Sequence, residues 1–341
     1  MTAMTSPPRD PAAAPPQRRS DSVRRTSTLL MTWPDGLGAG LRLDGRCRDL
    51  LTAADVQATT VVAAADLRVQ TGAERNIISI ASDPPHPALG RLVGRRGGGG
   101  LRAAIAEELP DQVERGTPLH LLLDDLAGST LIAGFALVRW ADHIPGFAER
   151  MRTGRGRSVE GICAGFAPGA NSLTSDGMPA RVGENLVRVP SLAAADDPDG
   201  WHELGDHPPM AMRRARRIDV WADDGELGID AMFRDSCWDT DGSEVAVHEY
   251  QLLATADRGT GTLTSVTARP RVLPYAECPA AAPNAAWLIG MPLRGLRSEV
   301  LRRIRGTDCC THLNDALRSL AEVPVLAAAL PATPAAAGRA S

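Results

Sequence analysis

Between residues 213 and 329 the hydrophobic pattern changes period. "RRIDVW", "ELGIDAMF", "EVAVHEYQLLATAD" and "GTLTSVTA" alternate apolar and polar positions or are β-branched, with "DDG", "DTDG" and "DRGTG" between them. Period-two runs separated by Gly/Asp turns predict antiparallel strands joined by hairpins. Beyond them, "PAAAPNAAWLIG", "LRSEVLRRI" and "THLNDALRSLAEVPVLAAAL" space their apolar residues as helices do. Strands first and helices after is the α+β order, an antiparallel sheet covered by helices on one face. Residues 22–137 run through the same order in shorter pieces and end in a helix near Leu119–Leu137.

The two stretches also share landmarks. Gly94 matches Gly290, Gly100-Leu101-Arg102 matches Gly295-Leu296-Arg297, and His120 in "LHLLLDDL" matches His312 in "THLNDAL". Upstream, Arg24-Arg25 and Arg216-Arg217 head β-like runs, and Cys47 with Asp49 parallels Cys237 with Asp239. Shared landmarks in one order point to internal duplication. The expected architecture is therefore two similar α+β lobes, 22–137 and 213–329, each an antiparallel sheet followed by about three helices packed on one face. Residues 1–21 and 330–341, rich in Pro, Ala and Ser, are expected to be disordered. The connecting segment 138–212 holds Trp140, Cys163, Phe166 and Trp201. Burying large apolar side chains is worth about 1.5–3 kcal/mol each. The segment should therefore dock on the lobes, near His86 and His120.

Composition removes several functions. The net charge is −4 and all 37 basic residues are arginines, so no Schiff-base or P-loop lysine exists. With two tyrosines and four phenylalanines there is little to stack on bases, and no nucleic-acid partner is expected. "MRRARRIDVW" and "RTGRGRS" then read as solvated arginines on a strand edge. The oligoglycine of "GRRGGGGLRAAIAEEL" reads as a turn, because its counterpart "GMPLRGLRSEVL" keeps only the last glycine. No GxSxG nucleophile elbow occurs. The N-terminus lacks an apolar h-region, and no run approaches the roughly 18 apolar residues of a membrane span. The expectation is a cytoplasmic protein with no membrane partner and reduced cysteines.

Candidate chemistry concentrates in the second half. Cys278 precedes Pro279 at a helix start, and Cys310 and His312 flank Thr311 at another. Helix N-termini favour thiolates. His248 lies mid-strand in "EVAVHEYQLL" on the face of Tyr250 and Leu252. Each of these alone has a bland account as a packed core residue. Together Cys278, Cys310, His312 and His248 have the donor types of a metal site. Cys309 should point elsewhere, since adjacent residues on a helix project about 100° apart. The first half keeps His120 and, at the place of Cys278, has His86; it has no histidine in the strand matching that of His248.

The paired arginine, His248, Cys278-Pro279 ahead of Leu288-Ile289-Gly290, and Cys310-Thr311-His312-Leu313 resemble an uncharacterised bacterial domain of unknown function. Here it would be in a long, duplicated form covering nearly all of the chain outside the tails. That resemblance implies no activity. A more distant similarity is to the U-type iron–sulfur scaffold proteins, which also place a ligand near the second or third strand, a cysteine at a helix start and a His/Cys pair opening a late helix. The spacings differ, and the scaffold's Cys-Gly-Asp motif is missing. The function expected is a metal-binding accessory or scaffold-like protein, with zinc or an iron–sulfur cluster at the Cys/His site and a protein partner. Two other readings remain open: a cysteine enzyme acting on a thioester or other acyl substrate, with Cys309 or Cys310 as nucleophile and His312 as base, and a protein-interaction module without chemistry.

Overall fold

The structure is a computed structural model that describes residues 6–12, 14–147, 149, 158–180 and 186–331. The strands are β1 (Ser22–Thr32), β2 (Arg42–Thr52), β3 (Thr59–Thr71), β4 (Ile77–Asp83), β5 (Val187–Arg188), β6 (Met212–Asp223), β7 (Glu226–Trp238), β8 (Glu244–Asp257) and β9 (Leu263–Val272). Seven α-helices occur among the described residues: α1 (Leu101–Glu108), α2 (Pro110–Arg115), α3 (Pro118–Ile132), α4 (Gly134–Arg139), α5 (Leu296–Arg303), α6 (Thr311–Ser319) and α7 (Val323–Ala328). A 3-10 helix spans Cys278–Leu288, where Pro283 removes a donor that an α-helix would need.

All nine strands belong to one sheet, ordered β4-β3-β2-β1-β6-β7-β8-β5, with β9 also paired to β8. The named strand pairs are antiparallel. The expectation of two lobes with separate sheets is therefore corrected, because β1 and β6 pair from Ser22↔Trp221 to Met31↔Met212 and fuse the meanders. Each meander is followed by a 3-10 turn and then helices, Pro87–Leu92 with α1–α3 and Cys278–Leu288 with α5 and α6. Gly94 donates to Ile77 O and Gly290 to Leu263 O, both at 2.8 Å, so each glycine ties its turn to the first residue of the fourth strand of its meander. Both have positive φ, 83° and 85°, which glycine adopts without steric cost.

Successive side chains of a strand alternate between faces. On the helix-covered face, β6 presents Arg214 and Arg216, β7 presents Phe233 and Asp235, and β8 presents His248 and Tyr250, in the pairs Arg214↔Asp235↔His248 and Arg216↔Phe233↔Tyr250. Asp125 of α3 and Asp315 of α6 reach Arg214 from above at 3.3 and 3.1 Å. The opposite face of the central strands is covered by the 190–204 segment. There Trp201 and Leu192 pack on Ala215 and Met232, and His202 bonds the hydroxyls of Thr26 and Thr28 at 2.8 and 2.7 Å.

The arginines of "MRRARRIDVW" are not solvated. β6 is a central strand, and Arg213, Arg214, Arg216 and Arg217 are all buried. Carboxylates balance them, some from the sheet itself, as Glu244 for Arg213 and Asp230 for Arg217, and some from helices remote in sequence. Arg216 is held by Asp125 at 2.6 and 2.7 Å, and Arg214 by Asp235 at 2.8 and 2.9 Å. Of "RTGRGRS", only Ser158 is among the described residues.

The expected disorder of 1–21 is corrected where those residues are described. Arg9 bridges to Val272 of β9, and Arg18 is held by Asp197 at 2.8 Å. Residues 332–341 of the expected C-terminal tail lie outside the described residues. The 158–180 segment packs on the second meander and its helices, not beside His86 and His120: Ala164 donates to Cys309 O at 2.7 Å and Asn171 to Glu277 at 2.9 Å. Pro118–Arg139 forms a helical run of 22 residues whose most apolar 18-residue window has mean hydropathy 1.7, long and apolar enough to cross a membrane by length and composition. Since 61% of its most apolar window is buried inside the fold, it packs here as a core helix.

Candidate metal centre and the adjoining thiols

The strand register places Asp235 beside His248. Helix α6 then lowers His312 onto them. Its N-cap is Cys310, in extended conformation with no side-chain cap bond, and His312 is the second helical residue. The rings of His248 and His312 stack with centroids 3.5 Å apart and planes 14° from parallel. Phe233 flanks His312 at 6.2 Å. His312 Nε2 stands 3.6 Å from Asp235 Oδ2. Each of Asp235, His248 and His312 offers a ligand atom, and these atoms all lie within 4.8 Å of one another. Among the described residues, this is the set of three or more donors drawn so close.

The electrostatics keep both imidazoles neutral. Burial, then the neighbouring His312, holds His248 well below the usual histidine range. His312 is pushed down to about 3 by burial and by the Arg214 guanidinium. Two uncharged rings can stack, and each keeps an in-plane lone pair for a ligand. His248 Nδ1 is buried and has no hydrogen-bond partner. An unmade bond at such a nitrogen costs about 1–3 kcal/mol. Asp235 is fully buried and anchored by both arms of Arg214, whose charge is further balanced by Asp125 and Asp315. His312 has 18% of its side chain exposed, so the set is reached from the α6 side.

Cys278 and Cys310 do not join the two histidines in that set. Cys278 and Cys310 lie instead in the buried core cluster that also holds Tyr250, Cys163 and Cys309. Cys309 turns aside toward Ile162 O, 3.6 Å away. Asp235 was not among the sequence candidates. Its signal lay in the β7–β8 register, with "MFRDSCW" opposite "EVAVHEYQ", which single-strand periodicity does not supply.

Burial raises the thiols: Cys163 to about 11, Cys309 to about 12, and Cys278 and Cys310 also upward. A nucleophilic cysteine needs the opposite shift, so the acyl-transfer reading gains no support here. In the first meander, Asp49 is held by Arg25 at 2.6 Å much as Asp235 is held by Arg214. It faces Ala63 of β3 rather than a histidine. By this cross-strand pairing the counterpart of Asp49 is Asp235. Asp239, matched to it from the sequence, lies beyond the end of β7 and pairs with Arg139.

The chain matches no curated protein and no solved structure. Residues 212–326, from β6 into α7 and including Asp235, His248, Cys278, Cys310 and His312, match the family model described as Protein of unknown function (DUF2889).

Proposed function

We propose that the protein is a metal-binding accessory protein that holds a divalent ion of the zinc class at Asp235, His248 and His312. The supporting observation is the buried, unpartnered Nδ1 of His248 within a set of three donors. Two neutral imidazoles and a carboxylate suit zinc, which takes nitrogen at about 2.0–2.1 Å and carboxylate oxygen at about 2.0–2.2 Å. Stacked rings hold their lone pairs side by side, so binding requires the imidazoles to fan apart around the ion. Arg214 serves as the outer support that orients the carboxylate. Nitrogen and oxygen donors favour a mononuclear ion over an iron–sulfur cluster, which is held mainly by thiolates.

The test counts metal. Full-length protein prepared without a polyhistidine tag is loaded with Zn2+, and its content is compared with that of the His248→Ala/His312→Ala variant. The variant should lose one equivalent, and Asp235→Asn should weaken binding at least tenfold. Equal zinc content in wild type and the double variant overturns the proposal.

We also infer that the two meanders descend from one duplicated unit. What supports this is the matched place of Gly94 and Gly290, the matched Gly100 and Gly295 caps ahead of α1 and α5, and the Arg25–Asp49 and Arg214–Asp235 pairs. The copy at 22–137 keeps His120 but has Ala63, not a histidine, opposite Asp49, so metal chemistry is assigned to the second copy alone. Superposing an experimental structure's two halves tests this: displaced glycines and arginine pairs would count against common descent.

A further inference from the structure

We propose that the outer edge of β3 over residues 59–65 is a docking site for an extended, cation-bearing segment of a partner protein, added to the sheet as a further strand. β3 and β8 hold the same place in the two meanders. Each is the third strand, and each carries a bulge at the same step. The register shifts after Asp49↔Ala63 in one and after Asp235↔His248 in the other, so Val61 stands where Ala246 stands. The outer edges differ. On β8, β9 reaches Val272 opposite Glu249, and β5 takes the stretch before it, with Val187 opposite Ala246 and Arg188 opposite Val245. On β3, β4 stops at Asp83 opposite Asp66, and among the described residues no strand pairs with the outer edge of 59–65.

Burial follows the difference. Val245 and Ala246 are 4% and 0% exposed, whereas Val61 and Val62 are 53% and 42% exposed. An edge strand leaves a row of backbone groups unpaired, and native folds guard such rows with charge, proline or a bulge. The stretch "TTVVAAA" has neither charge nor proline. Its bulge does not close the edge, since the matching bulge of β8 leaves room for β5. Val189 N donates to Glu244 O at 3.1 Å, so Glu244 and, two residues on, Ala246 turn their backbone groups outward. Thr59 and Val61 hold those positions on β3.

A carboxylate stands ready for the cation. On the β8 side, Arg188 of β5 pairs with Asp241 in the turn that precedes β8. Asp241 also accepts from Ser243 N at 2.9 Å. The turn that precedes β3 repeats this geometry, with Asp55 accepting from Gln57 N at 3.0 Å. Asp55 follows Asp49 by the same interval that separates Asp241 from Asp235. It is exposed and forms no ion pair among the described residues. An incoming strand with a β-branched residue opposite Val61 and an arginine or lysine opposite Thr60 would therefore repeat the β5 arrangement. Backbone hydrogen bonds attach it, and Asp55 selects the cation. A second copy of this chain offering its own 59–65 would bring no cation to Asp55, so the occupant is a segment of different chemistry.

Amide hydrogen exchange of the full chain tests this, with the capped peptide LVRVPS, the sequence of residues 186–191, as the probe at millimolar concentration. The peptide should slow exchange within 59–65 at least about fivefold, since the outward N–H groups become hydrogen-bonded. Asp55→Asn should weaken peptide binding at least about threefold, and added salt should weaken it in the wild type, because the ion pair is exposed. Two altered peptides leave the protein untouched and so carry no folding artefact. The Arg188→Glu peptide, and one methylated on the backbone nitrogens of Val187 and Val189, should both fail to protect 59–65. The proposal is overturned by no slowing with LVRVPS, by equal slowing with either altered peptide, or by unchanged binding in Asp55→Asn. Slowing confined to 245–247 overturns it too, since the peptide would then only exchange with β5. So does protection of 59–65 that grows with chain concentration in the absence of peptide, which would assign the edge to a second copy.

Discussion

His202 illustrates how much a single buried side chain ties this fold to pH. Its ring nitrogens are both used by Thr26 and Thr28, and burial together with Arg48 and Arg46 lowers it from 6.5 to about 3. The folded chain therefore keeps it neutral, while the unfolded chain protonates it below about 6.5. Its contribution to stability is intact above that pH and is lost progressively as pH falls toward 3. Replacing His202 with Gln should lower stability at pH 7.5 but flatten its decline between pH 6.5 and 3, as urea unfolding at a series of pH values would show. A variant whose decline is as steep as that of the wild type would refute this account.

At the level of elements, the close approach of α3 to β6 depends on Gly128. A Cβ there would lie 2.3 Å from Arg214 Nη1 and 2.7 Å from Asp315 Oδ2, both locked in the buried ion network. Alanine improves intrinsic helix propensity by about 1 kcal/mol, yet Gly128→Ala should destabilise the protein by about 1–3 kcal/mol through overpacking. Thermal unfolding would measure it, and a raised melting temperature would contradict the packing argument. This contact also shows why the sequence was legible only in part. The four strands β6–β9 could be read from alternation and from the Asp-Gly and Gly-Thr turns, because each hairpin is local. The burial of Arg214 and Arg216 could not, because Asp125 and Asp315 come from helices remote in sequence. His248 and His312 were legible as donors by type and position, whereas Asp235 emerges only when β7 and β8 are set in register. Cys278 and Cys310 lie in the core cluster outside the set of Asp235, His248 and His312, a separation set by how the helices pack on the sheet and not by strand or helix periodicity.

Across the whole molecule, the two halves exchange counter-ions. Asp125, from the first half, holds Arg214 and Arg216 of the second, while Glu322, from the second half, holds Arg25 of the first at 2.8 Å and also pairs with Arg297. Removing one partner of a buried pair leaves an uncompensated charge and costs about 3–5 kcal/mol. Glu322→Gln should lose about that much in a single cooperative transition, followed by circular dichroism in urea. Two separate transitions, with only the second half weakened, would mean that the halves fold independently. The β1–β6 ladder has a further consequence, one of mass action. A chain containing only the 212–331 portion would expose β6 as an open edge of hydrogen-bonding groups with its buried arginines short of partners. Two copies pairing β6 with β6 about a two-fold axis would regenerate the seam that β1 now fills, making a symmetric dimer. The melting temperature of that fragment should climb with its concentration, whereas that of the intact chain should not, because in the intact chain the strand that pairs with β6 is covalently attached.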